Sequence, residues 1–89
     1  MYALEVRDSL DKKLKKLAKK DAVIHNAIEK KTIEILADPF RFKPLKSPMQ
    51  NKRRVHIMGS FVLVYSIDEK RKTVILEDFD HHDYIYANL

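Results

Sequence analysis

Residues 2–7 alternate between apolar and mixed positions. Tyr2, Leu4 and Val6 point one way and Ala3, Glu5 and Arg7 the other, the period of a half-buried strand. The period then changes. Leu10, Leu14 and Leu17 recur at i, i+4 and i+7, which is one face of a helix, and Asp8 or Ser9 offers its N-cap. The opposite face carries Lys12, Lys13, Lys15, Lys16, Lys19 and Lys20. Asp21 is the next cap, and Ile24, Ala27, Ile28, Ile35 and Leu36 trace a second amphipathic helix. It ends at Asp38-Pro39, because a residue before proline is pushed out of the helical region. So little chain separates the two helices that they are expected to form a hairpin. Residues 39–52 hold all three prolines and read as a basic loop, of a length that often carries function.

Period two then returns. Arg53, Val55 and Ile57 share one face; Arg54, His56 and Met58 share the other. Gly59-Ser60 fits a two-residue type II′ hairpin with glycine at its first central position. Phe61 to Ile67 is apolar on both faces, as in a central strand. Asp68-Glu69-Lys70-Arg71 is a polar turn, and Thr73 to Phe79 is the next strand. The expected fold class is α+β: an N-terminal strand, a two-helix hairpin, then a three- to four-stranded antiparallel sheet with both helices on one face, in a single domain spanning 1–89. The other sheet face is left free to bind.

Composition narrows the partners. With 89 residues the core is thin, since a chain this size buries only about two-thirds of its unfolded surface. Cysteine is absent, so neither a disulfide nor a thiolate metal site supplements that core. MYALEVRDSL has no basic-then-apolar signal pattern, and no apolar run nears the roughly 18 residues of a membrane span. A soluble, cytoplasmic protein is expected, with no membrane partner. A single glycine excludes glycine-rich phosphate loops and dinucleotide fingerprints. The net charge of +5 attracts polyanions, whether nucleic acid or an acidic protein.

If the helices cover Val55 and Ile57, strand alternation places Arg54 and His56 side by side on the open face. In the tail, His82, Tyr84 and Tyr86 share a face if it stays extended, and a sheet brings it beside His56. Lys43, Lys46 and Arg53 lie near in sequence. These are the parts for cutting RNA without a metal. One imidazole removes the 2′-hydroxyl proton and another protonates the departing 5′-oxygen. Cations stabilise the phosphorane, and a tyrosine stacks on or hydrogen-bonds a base. Each feature also has an ordinary explanation. The lysine face of the first helix is most simply solvated. His81-His82 are surface histidines or a metal pair, the latter with no further spaced ligands. Tyr84, Ile85 and Tyr86 close the core as readily as they touch substrate. Phe40 and Phe42 anchor their loop more readily than they stack on bases.

KPLK at Lys43–Lys46, RRVHI at Arg53–Ile57, FVLVYSID at Phe61–Asp68 and DHHDYIY at Asp80–Tyr86 resemble the RelE/ParE superfamily of toxins over almost the whole chain. The resemblance implies a RelE-like fold and the toxin of a type II toxin–antitoxin pair, partnered by a cognate, acidic antitoxin. It further implies a metal-independent, cofactor-free endoribonuclease that cleaves messenger RNA at the ribosome and inhibits translation. The pattern is most similar to the histidine-using, YafQ-like branch, with His56, His82 and Lys43 at positions where that branch has histidines. Arg54 and Tyr86 match a basic position and the C-terminal tyrosine of RelE. The implied catalytic set is His56, His82, Arg54 and Tyr86; Lys43, Lys46, Arg53 and His81 are implied in substrate binding. A one-residue slip in the tail would exchange His81 for His82. Val62 and Asp80 stand where RelE has arginines, and Ser60 where the YafQ-like branch has an acid. Two alternatives follow from these departures: a ParE-like gyrase inhibitor, or a non-catalytic relative that binds RNA or protein.

Overall fold

Leu10, Ile28 and Ile35, each at most 3% exposed, join the helices to the sheet. The computed structural model describes residues 1–45 and 51–87, so Lys46 lies outside the described residues. The elements are β1 (Ala3–Val6), α1 (Asp8–Lys20), α2 (Ala22–Ala37), β2 (Lys52–Ile57), β3 (Phe61–Asp68), β4 (Thr73–His81) and α3 (His82–Ala87). The α+β class, the helix hairpin and the placement of both helices on one sheet face are as expected. Among the described residues no helix is long and apolar enough to cross a membrane.

The helix starts follow local chemistry. Asp21 Oδ1 accepts the Ile24 N–H at 3.1 Å, the side-chain cap expected for α2. For α1 the cap falls at Arg7, before both Asp8 and Ser9: Arg7 O accepts the Asp11 N–H at 2.8 Å, and the Arg7 side chain makes no capping bond. Asp8 and Asp11 in the first turn and Lys19 and Lys20 in the last suit the helix dipole in its place.

The sheet order is β1-β4-β3-β2. β2–β3 and β3–β4 are antiparallel, but β1 runs parallel to β4, pairing Ala3 with Thr73 and Val6 with Leu76. The sheet is therefore mixed rather than wholly antiparallel. The long return from β1 to β4 through two helices and a hairpin is the kind of connection that parallel neighbours require, and alternation within β1 carries no information about its direction.

Two irregularities set which side chains face which way. The β2–β3 connection is a three-residue loop, Met58–Ser60, since Ile57 pairs with Phe61. Met58 (φ 53°) and Gly59 (φ 80°) are both left-handed, in place of a two-residue type II′ turn. Because β3 is apolar on both faces, its pattern cannot choose between these registers. In β4, Tyr65 pairs with Leu76 and Val64 with Asp78, leaving Glu77 as the extra residue of a bulge. That extra residue lets Val74, Leu76 and Phe79 all face the helices despite their uneven spacing.

Glu77 anchors the bulge. It accepts from the Ser66 hydroxyl at 2.6 Å, pairs with Arg7 Nε at 3.0 Å and lies 3.8 Å from Lys52 Nζ. Burial alone would raise its pKa, but the Arg7 and Ser66 hydrogen bonds, with the Lys52 charge, outweigh burial and hold it below 4.5. A depressed folded pKa stabilises the fold above the unfolded value, and that contribution is lost as pH falls through the folded one. Glu77→Gln is expected to cost about 1–2 kcal/mol at pH 7, the scale of losing a charged hydrogen bond partly screened by solvent. In urea unfolding, the gap between native chain and variant should close as pH drops below about 4.5.

The helix-side core gathers Val55, Ile57, Leu63, Tyr65, Val74, Leu76 and Phe79 around Leu10, Ile28 and Ile35. The fully buried Tyr65 hydroxyl donates to Pro39 O at 2.6 Å. Burial pushes its pKa up to about 12. The opposite face is not bare. Beyond Phe79, β4 continues to His81, and the tail then coils into α3 instead of staying extended. Ile85 of α3 and Leu45 pack on Val62 and Val64, with Tyr86 at the edge.

Candidate functional site

Arg54 and His56 lie on β2, facing away from the buried Val55 and Ile57 as alternation requires. β2 is an edge strand, and the loop before it closes along that edge. Arg54 N–H donates to Lys43 O at 3.1 Å, and Leu45 N–H donates to Lys52 O at 2.8 Å. Pro44 forms an isolated bridge with Arg53. Lys43 is thereby placed beside Arg54. Together with Lys31, Arg41, Phe42 and His56 they line an open cleft of about 590 Å³. Lys31 and Arg41 were not singled out from sequence. Both stand over the Phe42 ring, at 5.9 and 5.5 Å from its centroid; the alternation of Arg41-Phe42-Lys43 was a signal for Arg41 alone, and Lys31 on α2 had none.

The helical tail brings its residues together differently from an extended one. His82 and Tyr86 are four apart and meet on one helix face, with ring centroids 6.5 Å apart. The Arg54 guanidinium carbon stands 5.8 Å from the Tyr86 centroid, within cation–π range. Tyr84, on the other side of α3, is 66% exposed. His82 is fixed at the base of α3 because its N–H donates to Ser60 O at 2.9 Å, in the β2–β3 loop. A continuous line of contact thus runs from His82 through Tyr86 to Arg54, and His56 is two residues further along the same strand face. Among the described residues His56 makes no ring contact with His82, so the two imidazoles flank this line.

Four residues named from sequence have other engagements. Arg53, on the helix-side face, donates Nη1 to Phe42 O at 2.7 Å and lies 5.1 Å from the Phe40 centroid. It pins the loop. His81 stacks on His82 at 4.6 Å and meets Phe61 edge-on at 5.8 Å. Its Nδ1 accepts the Asp83 N–H at 3.2 Å, and it pairs with Phe61 across the sheet. Asp80 is neutralised by Lys13 at 3.2 Å. Val62 pairs with His56 on one side and Asp80 on the other and is wholly buried. An arginine could not occupy that position beneath Ile85 without displacing α3.

His81, His82 and Asp83 each offer one ligand atom, all within 4.8 Å of one another. This set of two imidazoles and a carboxylate suits a borderline divalent ion, and His82 Nδ1 already lies 3.0 Å from Asp83 Oδ1.

The chain matches the family described as the ParE toxin of type II toxin–antitoxin system, parDE, over residues 4–86. It is 52% identical over 86 residues to the Methanocaldococcus jannaschii protein whose name, RelE4, is that of a toxin; the match covers 97% of this chain and 92% of that one. Its fold is similar to E. coli RelE in the intact RelBE toxin–antitoxin complex, with TM-score 0.78 at 20% identity over 91% of this chain and 96% of that one. It is also similar to E. coli YafQ, with TM-score 0.74 at 17% identity over 97% and 99% of the two chains. By the match over almost its whole length, this chain belongs to the ParE toxin family of type II toxin–antitoxin systems, within the RelE/ParE superfamily.

Proposed function

We propose that this toxin is a metal-independent endoribonuclease that cuts messenger RNA at the ribosome. The observation that carries the reading is the convergence of His82, Tyr86 and Arg54 from α3 and β2, with His56 beside them. Cations and an aromatic ring between two imidazoles match the requirements of in-line attack. One histidine takes the 2′-hydroxyl proton as O2′ bonds to the adjacent phosphorus. The bond to the 5′-oxygen breaks, and the other histidine protonates that leaving group, giving a 2′,3′-cyclic phosphate and a 5′-hydroxyl. Arg54 and Lys43 hold the phosphate and stabilise its growing charge. Tyr86 positions a base, and His81 supports the His82 ring by stacking. The likeness to RelE held in complex with RelB supports a cognate antitoxin, acidic to suit a +5 surface. Such a pair acts in the cytoplasm.

The match to ParE toxins favours a second reading, in which the chain binds gyrase and cuts nothing. Expression of the intact chain separates them. Growth arrest with fragmented transcripts is the expected result; arrest with intact transcripts and altered plasmid supercoiling would establish the second reading instead. In a purified system with ribosomes and messenger RNA, cleavage is expected to persist undiminished in a chelator selective for zinc-type ions, which leaves the ribosome's magnesium in place. Loss of cleavage on chelation would show that His81, His82 and Asp83 hold a required ion.

A further inference from the structure

A second groove lies on the helix-side face, between α1 and the ends of β3 and β4, and reaches the catalytic face only around the end of the sheet at His81 and His82. It measures about 280 Å³, below the roughly 300–1,000 Å³ of sites that enclose whole small molecules, so it suits one flat group and its flanks. Its floor is Leu17 with Phe61 and Phe79, whose rings stack 5.4 Å apart at 16°. Its rim is Lys13, Lys16 and Lys20. Lys13 is committed to Asp78, Asp80 and Phe79 O, which also cancels the one acid on the rim. Among the described residues Lys16 and Lys20 have no carboxylate partner, so the groove keeps two free positive charges over an aromatic floor.

The groove is joined to the catalytic face by a run of ring contacts. Phe61 meets His81, His81 stacks on His82, and His82 meets Tyr86 below Arg54. Proteins that hold single strands combine such ring platforms with cations that track the backbone.

We propose that this groove is a second contact site for single-stranded RNA, taking one base on the Phe61 ring and flanking phosphates on Lys16 and Lys20. The inference rests on the ribonuclease reading and extends it: the strand cut beside His82 continues over His81 and Phe61 to the lysine face of α1. Continuity with that face favours RNA over an acidic peptide, which would gain nothing from the ring path.

The test uses the full chain and a fluorescent 2′-O-methyl RNA, which lacks the attacking hydroxyl and stays intact. Binding is measured against salt for the native chain and for Lys16→Gln/Lys20→Gln, with circular dichroism to show that the variant is folded. Two lost phosphate contacts should reduce the log–log salt slope by about 1.4. With cleavable messenger RNA on ribosomes, KM should rise for long messages, kcat should hold, and short messages spanning only the cut should be unaffected. An unchanged slope in a variant that still cuts RNA would overturn the groove and leave the ribonuclease reading intact. A changed slope in a chain that never cuts RNA would uphold the groove alone. Loss of affinity for poly-glutamate but not for RNA would reassign the groove to an acidic protein, and no binding of the 2′-O-methyl RNA by the native chain would overturn the groove, while cleavage on ribosomes would still decide the ribonuclease reading.

Discussion

Replacing His56 or His82 with alanine is expected to slow RNA cleavage by about 10²–10⁴-fold each, the usual contribution of a positioned general acid or base. Neither change should unfold the chain. His56 is exposed, and the His82 side chain is 42% exposed; His82 is held by its main-chain N–H, which alanine keeps. The double variant should be little worse than either single one, since in the proposed mechanism both groups serve one proton-transfer cycle. Single-turnover cleavage of a defined messenger RNA on ribosomes measures all three. His81→Ala discriminates further: it removes a stacked neighbour rather than a proton carrier, so its loss should be smaller and should not alter the pH profile. A His82→Ala variant with native cleavage, beside an inactive His81→Ala, would exchange the two assignments.

The largest effect on stability is expected at Leu63. It is wholly buried on the central strand, between Val55 of β2 and Phe79 of β4, and faces the helix-side core. Leu63→Ala should cost about 2–5 kcal/mol, a large part of the roughly 5–15 kcal/mol that holds a domain of this kind together. A midpoint drop of about 10 °C or more should follow. Ile33→Ala removes a side chain that is 63% exposed and should shift the midpoint little. Thermal unfolding of the two side by side tests whether the core is where the structure places it. Comparable losses at both positions would contradict it.

The strands and helices were largely legible because each has one clear period. The leucines of α1, the Asp21 cap and the alternation around Val55 are local signals, and the structure keeps them. The placement of Arg54 and His56 on one face follows from that alternation alone. The tail was not legible in the same way. Asp80–Tyr86 has no second period to contradict an extended reading, and the burial of Ile85 on Val62 and Val64 is what favours coiling. That coil pairs His82 with Tyr86 and turns Tyr84 outward. The role of Arg53 was likewise hidden, because a strand pattern does not say that a guanidinium will be taken up by Phe42 O and the Phe40 ring.

The chain by itself determined the element order, the helix caps near Asp21, the basic surface and the strand face bearing Arg54 and His56. These depend on residues within a few positions of one another. Only the tertiary structure decided that β1 runs parallel to β4, that Glu77 bulges to keep Phe79 inward, and that α3 folds over Val62 to bring His82 and Tyr86 to Arg54. Each of those depends on burying apolar surface between segments far apart in sequence, and no local pattern encodes it.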